Sequence, residues 1–219
     1  MRRLNKFYTK AFTLVEVLIT LGIIGIVAAI IIPVAISNAE QQQHISTWRK
    51  TYSTLMQAVQ QMTTDNGGNL TLAIPFDSSG VTDNYKSFLD SFRPYLKSIK
   101  TCNVGSVVSG GCYSGTFKAL SDSYTITNYA AATSAMVLNN GVVLFFYPGS
   151  LGSCTQNVIC SDTHIFIDVS GSKPPNRLGK DIFYINYNTT KKIFMNGPYP
   201  TKACSAHGWN CSEYYLIYD

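Results

Sequence analysis

Six cysteines carry the most evident chemistry in this 219-residue sequence. They form three close couples with nine, five and six residues between partners, and all six lie after residue 100. An even number of cysteines grouped in this way is typical of an exported domain with disulfide bonds. Sequential pairing is the simplest connectivity, and it joins Cys102 with Cys112, Cys154 with Cys160, and Cys204 with Cys211. A zinc site formed by Cys204, His207 and Cys211 is the alternative, although no fourth ligand is evident.

The three histidines form no recognisable catalytic arrangement. His44 lies in an amphipathic stretch, His164 in a strand-like run and His207 between two cysteines, and none belongs to a G-x-S-x-G motif. The sequence also has no Gly-Lys-Ser or Gly-Lys-Thr of a phosphate-binding loop. We therefore predict that the protein is not an enzyme, with a membrane-anchored enzyme as the minor alternative.

Glu16 is the only charged residue between Phe12 and Ile36. This apolar run is long enough to cross a hydrocarbon core of about 30 Å as a helix. A carboxylate inside such a helix costs roughly 2.5–3.5 kcal/mol on insertion scales, so a partner for Glu16 is expected. The alternative is that Glu16 lies near enough to the cytoplasmic face to reach the lipid headgroups.

Four basic residues and no acid precede the apolar run: Arg2, Arg3, Lys6 and Lys10. Basic residues beside a membrane helix stay in the cytoplasm, so we expect a single-pass protein with a cytoplasmic N-terminus. The apolar run continues into a polar helix without the small-residue cleavage site of a secretory signal, so the helix should remain in the mature protein. The larger C-terminal part is then periplasmic or extracellular.

The stretch from Ala11 to Glu16, Ala-Phe-Thr-Leu-Val-Glu, resembles the cleavage and methylation motif of type IV prepilins and pseudopilins. This resemblance implies cleavage by prepilin peptidase between Ala11 and Phe12, with methylation of the new amine of Phe12. Ala11 stands where that family usually has glycine. Pro33 stands where the family commonly has a proline that bends the helix.

The resemblance also implies a filament. In such a filament the Glu16 carboxylate of one subunit neutralises the Phe12 amine of a neighbour while the helices bundle. The expected partners are other pilin or pseudopilin subunits, prepilin peptidase and the assembly machinery of the inner membrane. Contact with nucleic acid is expected only if the protein is a minor pilin.

A glycine- and proline-rich stretch between Asp168 and Phe183 resembles a loop of many pilin-like proteins, and in some pseudopilins a loop in this region holds calcium. By this resemblance Asp162, Asp168 and Asp181 are candidate calcium ligands. The stretch does not contain the D-x-[DN]-x-[DN]-G pattern. The alternative is a loop whose carboxylates accept hydrogen bonds from backbone amides. No other cofactor is expected.

Length and composition allow one globular domain beyond the membrane helix, since 46% of the 219 residues are hydrophobic. The net charge of +5 falls to +1 once the four basic residues of the leader are removed, leaving 13 basic against 12 acidic residues. Composition therefore indicates no general nucleic-acid surface. We expect a leader at 1–11, a membrane helix at 12–37, its amphipathic continuation at 38–66 and a globular domain at 67–219.

Periodicity predicts the elements of that domain. Apolar residues at three- and four-residue steps predict that the long helix continues from Ser37 to Thr64, before a stop at Asp65-Asn66-Gly67-Gly68, with one buried face: Ile45, Trp48, Tyr52, Leu55, Met56, Val59 and Met62. A second helix is predicted from Tyr85 to Lys100, interrupted at Pro94. The remaining strands are predicted at 135–138, 142–147, 164–169, 181–187 and 191–195, with a hairpin at Asn139-Asn140-Gly141.

These elements predict an α+β, pilin-like fold in which a long N-terminal helix packs on an antiparallel sheet of four or five strands. The predicted function is a structural subunit of a type IV pilus or of a secretion or competence pseudopilus. The alternative is a membrane-anchored minor pilin or binding module that contacts DNA, surfaces or an exported substrate.

Overall fold

The structure is a computed structural model that describes residues 12–74, 81–121, 125–126, 133–147, 163–188, 193–196, 204, 208 and 211–218. Contacts divide the chain into two compact units, Met1–Gln42 and Gln43–Asp219. Helix α1, Leu14–Asp65, contributes residues to both units.

The part of α1 in the second unit is amphipathic. Its predicted apolar face is confirmed, because Ile45, Trp48, Leu55, Val59 and Met62 are buried while Tyr52 and Met56 pack against the core from its margin. The opposite face carries polar side chains that stay exposed. A stripe at this spacing places one side of a helix on a sheet and leaves the other to solvent.

Helix α1 ends where the sequence predicts, at Asp65 before Gly67 and Gly68. Both glycines have positive φ values, 68° and 82°. The amide of Gly68 donates to the carbonyl of Thr63 at 2.8 Å, which satisfies a carbonyl at the helix end.

The main sheet of the described residues contains six strands: β1 (Ser98–Cys102), β4 (Ser134–Leu138), β5 (Val143–Tyr147), β6 (His164–Asp168), β7 (Ile182–Asn188) and β8 (Ile193–Asn196). They are antiparallel and lie in the order β1-β4-β5-β6-β7-β8. A separate pair is formed by β2, Phe117–Lys118, and β3, Thr125–Ile126. Short helices complete the described chain: α2 at Leu70–Ala73, α3 at Val81–Phe92 and α4 at Cys211–Ile217.

The predicted hairpin and the later strands are confirmed. The strands β4 and β5 meet at Asn139-Asn140-Gly141, where Gly141 has a φ of 86° and its amide donates to the carbonyl of Leu138 at 3.0 Å. Strands β6, β7 and β8 continue the meander in sequence order.

The second helix is shorter than predicted. Helix α3 ends at Phe92, and the chain enters strand β1 at Ser98, so the prediction of helix as far as Lys100 is wrong. The physical reason is Pro94, which has no amide hydrogen and whose ring restricts the preceding residue. Strand β1 brings the sheet to six strands, and its pairing with β4 shifts register between Ser98 and Lys100.

Both faces of the sheet are covered. Alternate residues of β5, Leu144 and Phe146, join a cluster with Trp48, Leu55 and other side chains of α1 and α3. Side chains on the other face of the sheet form a second cluster, which contains Phe117, Phe145, Phe166 and Tyr184. The loops that follow β1 and β6 contribute to this cluster. The α+β class, with a long helix and an antiparallel sheet, is confirmed.

Candidate functional site

The start of α1 is built around a reciprocal pair, Thr13 and Glu16. The Thr13 backbone amide donates to Glu16 Oε2 at 2.9 Å, and the Thr13 hydroxyl donates to the same oxygen at 2.8 Å. In return, the Glu16 amide donates to Thr13 Oγ1 at 3.2 Å. These bonds form a capping box, which satisfies amide donors that the first turn of a helix leaves unpaired.

A partner for Glu16 was expected from the cost of a carboxylate in an apolar helix, and Thr13 of the same chain is that partner. The signal was present, because a threonine followed three residues later by glutamate at the start of an apolar run is the sequence pattern of a capping box. Glu16 therefore caps its own helix within one chain. Phe12, directly before the capping residue, is 85% exposed.

Beyond the cap, α1 presents an exposed apolar surface as far as Ile36. The large apolar side chains from Phe12 to Ile36 are between 42% and 85% exposed. Pro33 lies inside α1, which is continuous through it. A Cβ atom added at Gly22 or Gly25 would meet no atom within 4 Å. Helix α1 is long and apolar enough to cross a membrane, and none of its most apolar stretch of 18 residues is buried. Such a surface requires lipid or other helices.

The comparisons with known proteins bear on this segment. Residues 6–32 match the family model for the prokaryotic N-terminal methylation motif. The chain carries a prepilin-type methylation motif. This motif, which contains Thr13, Glu16 and most of the apolar run from Phe12 to Ile36, is characteristic of type IV prepilins and pseudopilins. No curated protein and no solved structure gives a significant match to the chain. The methylation motif and the apolar helix together fit a membrane-anchored pilin.

The other residues predicted to act in processing and assembly are Ala11, Phe12 and Pro33. Ala11, on the other side of the predicted cleavage site, lies outside the described residues. Phe12 and Glu16 lie within one helical turn of each other at the start of α1, whereas Pro33 lies about five turns further along the helix.

Two of the predicted disulfide pairs lie in the described part of the chain. A disulfide joins Cys102, at the end of β1, to Cys112, with an S–S distance of 2.02 Å. A second disulfide joins Cys204 to Cys211, the first residue of α4. Cys154 and Cys160 lie outside the described residues, so their pairing stays a prediction. His207 lies there also.

Asp168 and Asp181 are brought together by the hairpin between β6 and β7. Both are fully buried, and the Ser170 hydroxyl lies between them, 3.1 Å from Asp168 Oδ1 and 3.0 Å from Asp181 Oδ2. Asp181 also accepts hydrogen bonds from the backbone amides of Asn176 at 2.8 Å and Arg177 at 2.6 Å. The carboxylates therefore hold the loop by accepting hydrogen bonds from its amides and hydroxyl.

Tyr113 connects this loop to the first disulfide. Its hydroxyl donates to Asp168 Oδ2 at 2.8 Å, and Tyr113 directly follows Cys112. Burial first, and then the negative charge of Asp181, raises the pKa of Asp168 well above its usual range, although hydrogen bonds from Tyr113 and Ser170 act in the opposite direction. Burial and the charge of Asp168 likewise raise the pKa of Tyr113. Tyr113 could not be predicted as a partner of Asp168, because no local sequence pattern links residues 55 positions apart.

Calcium binding by the three aspartates stays a prediction. Asp162 lies outside the described residues, and the oxygens of Asp168 and Asp181 have the hydrogen-bond donors given above. A cation at this place would compete with Ser170 and Tyr113 for those oxygens. Among the described residues, no group of three histidine, cysteine, aspartate or glutamate side chains is placed to hold a metal ion.

The described histidines have packing roles. His164 stacks on Tyr147 with ring centroids 4.6 Å apart and meets the edge of Phe166 at 4.9 Å. His44 is half-buried on α1, one helical turn before Trp48. Neither histidine is part of a nucleophile–base arrangement among the contacts described here.

Proposed function

We propose that the protein is a structural subunit of a type IV pilus or pseudopilus filament. The observation that carries the proposal is the start of α1, where Glu16 lies four residues after the expected mature N-terminus, Phe12, in an exposed apolar segment, 12–36, that has no other charge. The methylation motif at residues 6–32 supports the same function. Pilin-family subunits are structural in general, and no catalytic activity is proposed.

In this proposal, processing creates the assembly site. Prepilin peptidase cuts between Ala11 and Phe12 on the cytoplasmic side and methylates the new amine of Phe12. The four basic residues of the leader keep this end in the cytoplasm, so the unit that begins at Gln43 is periplasmic or extracellular. After cleavage the helix begins with a cationic amine instead of a basic leader.

Assembly then gives Glu16 a second partner. In the single chain, Glu16 Oε2 accepts two hydrogen bonds from Thr13. A carboxylate can accept further hydrogen bonds, so the methylated amine of Phe12 from a neighbouring subunit can approach the same side chain. The pairing neutralises two charges that are costly in a helix bundle, and it fixes the axial position of one subunit against the next. The small residues Gly22 and Gly25 permit close approach of the helices.

Three substitutions separate helix capping from charge pairing. Glu16→Gln keeps a capping acceptor and removes the charge, Thr13→Ala removes the hydroxyl of the cap and keeps the charge, and Glu16→Ala removes both. We expect all three variants to remain in the membrane. We expect Thr13→Ala to enter filaments, and the two Glu16 variants to be excluded from them.

The measurements are N-terminal sequencing of the processed protein and the amount of each variant in sheared filaments. The mature sequence should begin at Phe12, and a different first residue would reject the processing proposal. Normal incorporation of Glu16→Gln would reject charge pairing as the basis of assembly. Exclusion of Thr13→Ala with normal incorporation of Glu16→Gln would instead indicate that capping is what assembly requires.

A further inference from the structure

Basic residues are concentrated in two segments of the globular unit, 91–121 and 168–181. These segments contain seven of the 13 basic residues that follow the leader: Arg93, Lys97, Lys100, Lys118, Lys173, Arg177 and Lys180. The same segments contain two acidic residues, Asp168 and Asp181, and both are fully buried. The charges that the two segments present at the surface are therefore all positive. Composition averages over the whole chain and does not reveal this concentration.

Hydrogen bonds join the two segments into one surface. The Ser114 amide donates to Ser172 Oγ at 3.0 Å, directly before Lys173 in the sequence. The Lys118 amide donates to the carbonyl of Asn176 at 2.9 Å. The lysines of the first segment and those of the second therefore belong to neighbouring parts of the structure.

The surface extends from there to strand β1 and to the end of α3. Lys100 of β1 donates from Nζ to the carbonyl of Gly111 at 3.4 Å, on the loop that leads to Ser114. Arg93, directly after α3, donates from Nη2 to Thr101 Oγ1 at 3.0 Å. We call the continuous surface formed by the seven basic residues the basic surface.

Most of the basic surface has no carboxylate to neutralise it among the described residues. Arg93 shares Asp90 with Lys86, and these are ion pairs on α3 and directly after it. In the part of the chain that the structure describes, four lysines form no ion pair: Lys97, Lys100, Lys118 and Lys173. Three of the four, Lys97, Lys100 and Lys173, are exposed. Positive charge that is not neutralised attracts polyanions and accelerates their association.

The residues between these cations suit contacts with phosphate groups. Exposed Ser109 and Thr116 lie between the lysines of the first segment, and hydroxyl groups contact DNA phosphates alongside lysine and arginine. Tyr113 and Phe117, the aromatic residues within 97–118, are buried. They offer no ring on which an unpaired base could stack, which is the usual means of binding single strands. The chemistry therefore favours a duplex.

We propose that the basic surface binds the phosphate backbone of double-stranded DNA without preference for sequence. Lys97, Lys100 and Lys173 each neutralise phosphate charge and release condensed counterions, so binding weakens as salt rises. The basic surface lies entirely in the second unit and does not involve Phe12 or Glu16. Binding of DNA is thus independent of the proposed filament assembly, and failure of either proposal leaves the other to be tested separately.

Fluorescence anisotropy with a labelled duplex of about 20 base pairs, roughly two helical turns, tests this proposal. The full mature protein is held in nanodiscs of phosphatidylcholine, whose headgroups carry no net charge. We expect a Kd on the order of 100 µM or tighter at about 50 mM salt. A second duplex of the same length and composition but shuffled sequence should bind equally well.

Single substitutions locate the binding surface. Lys100→Gln and Lys173→Gln each remove one exposed charge from the basic surface, and Lys50→Gln removes one from the exposed face of α1 as the matched control. Each of the first two should reduce the slope of log affinity against log salt by about 0.9, which corresponds to a roughly eightfold higher Kd at about 0.1 M salt. The control should change Kd less than about twofold. All three side chains are exposed, so the variants should fold.

Four results would overturn the proposal. The first is no binding of the duplex at about 50 mM salt. The second is an equal effect of Lys50→Gln and Lys100→Gln, since the lysines of the basic surface would then have no special role. The third is tighter binding of a single strand of the same length. The fourth is flotation with phosphatidylglycerol vesicles that is stronger than DNA binding and is lost in Lys100→Gln and Lys173→Gln, which would assign the surface to membrane lipid.

Discussion

Replacing Asp168 with asparagine should remove a pH dependence from the stability of the globular unit. Asp168 has no exposed surface and lies beside buried Asp181, with Val143 and Ile182 as its register partners on the neighbouring strands. The donors described on its oxygens, from Tyr113 and Ser170, are uncharged. Asparagine has nearly the same shape, accepts from Ser170 and can donate to Tyr113, so the loop should keep its structure.

The sign of the effect follows from the direction of the shift. The pKa of Asp168 in the folded protein lies above the ordinary value of 3.8, so the folded state binds a proton that the unfolded state releases. The stability contributed by this proton is fully present below the unfolded pKa and is lost as pH rises through the folded pKa. Between the two pKa values the wild-type protein should lose about 1.4 kcal/mol per pH unit relative to Asp168→Asn.

Urea unfolding measures this difference. The mature protein is unfolded in micelles and followed by near-ultraviolet circular dichroism from about pH 4 to about pH 9, roughly the range in which folded proteins resist acid and base. Asp90→Asn is the matched control, because Asp90 is a more exposed carboxylate paired with Lys86 and Arg93. The control should follow the wild-type curve. If Asp168→Asn also runs parallel to the wild type, Asp168 holds no extra proton in the folded state and the reasoning is wrong.

Two further predictions compare matched substitutions in the same unfolding assay. Gly141 and Gly208 have the same φ of 86°, but only Gly208 has a backbone atom in the way of a Cβ. Gly141→Ala should therefore cost about 1–2 kcal/mol from conformation alone and Gly208→Ala clearly more, and equal losses would contradict the packing argument. Leu55 is fully buried and Leu72 is 66% exposed. Leu55→Ala should cost about 2–5 kcal/mol and Leu72→Ala less than about 0.5 kcal/mol, and similar losses would show that α1 does not form the core.

The sequence was sufficient to predict the elements whose signals are local. The buried stripe of α1, its end before Gly67 and the hairpin at Asn140-Gly141 all follow from periodicity or from the conformations that glycine permits. The helix predicted across Pro94 failed because amphipathic spacing in Phe88, Phe92 and Leu96 continues past the residue that ends the helix. Leu96 is buried although it lies after the end of α3. The helical spacing of apolar residues therefore continues in the sequence where the helix itself does not.

The contacts around the site could not be predicted, because they join distant parts of the chain. Tyr113 contacts Asp168 because β1, β5 and β6 belong to one sheet, and no short sequence pattern predicts that contact. The same is true of Trp48 and Ser212, 164 positions apart. In contrast, the pairing of Thr13 with Glu16 is local, and its capping pattern is readable in the sequence.

If the proposed filament forms, the register shift in β1 affects how neighbouring subunits can associate. In the described sheet β1 is an outer strand, and such a strand offers unpaired backbone groups to the sheets of other molecules. Here the strand is five residues long, contains a bulge between Ser98 and Lys100, and carries the exposed charge of Lys100 at its centre. These features oppose indefinite edge-to-edge growth of sheets. In the proposed filament, association then takes place through the helical surfaces, where charge pairing between Glu16 and the Phe12 amine can order and limit it.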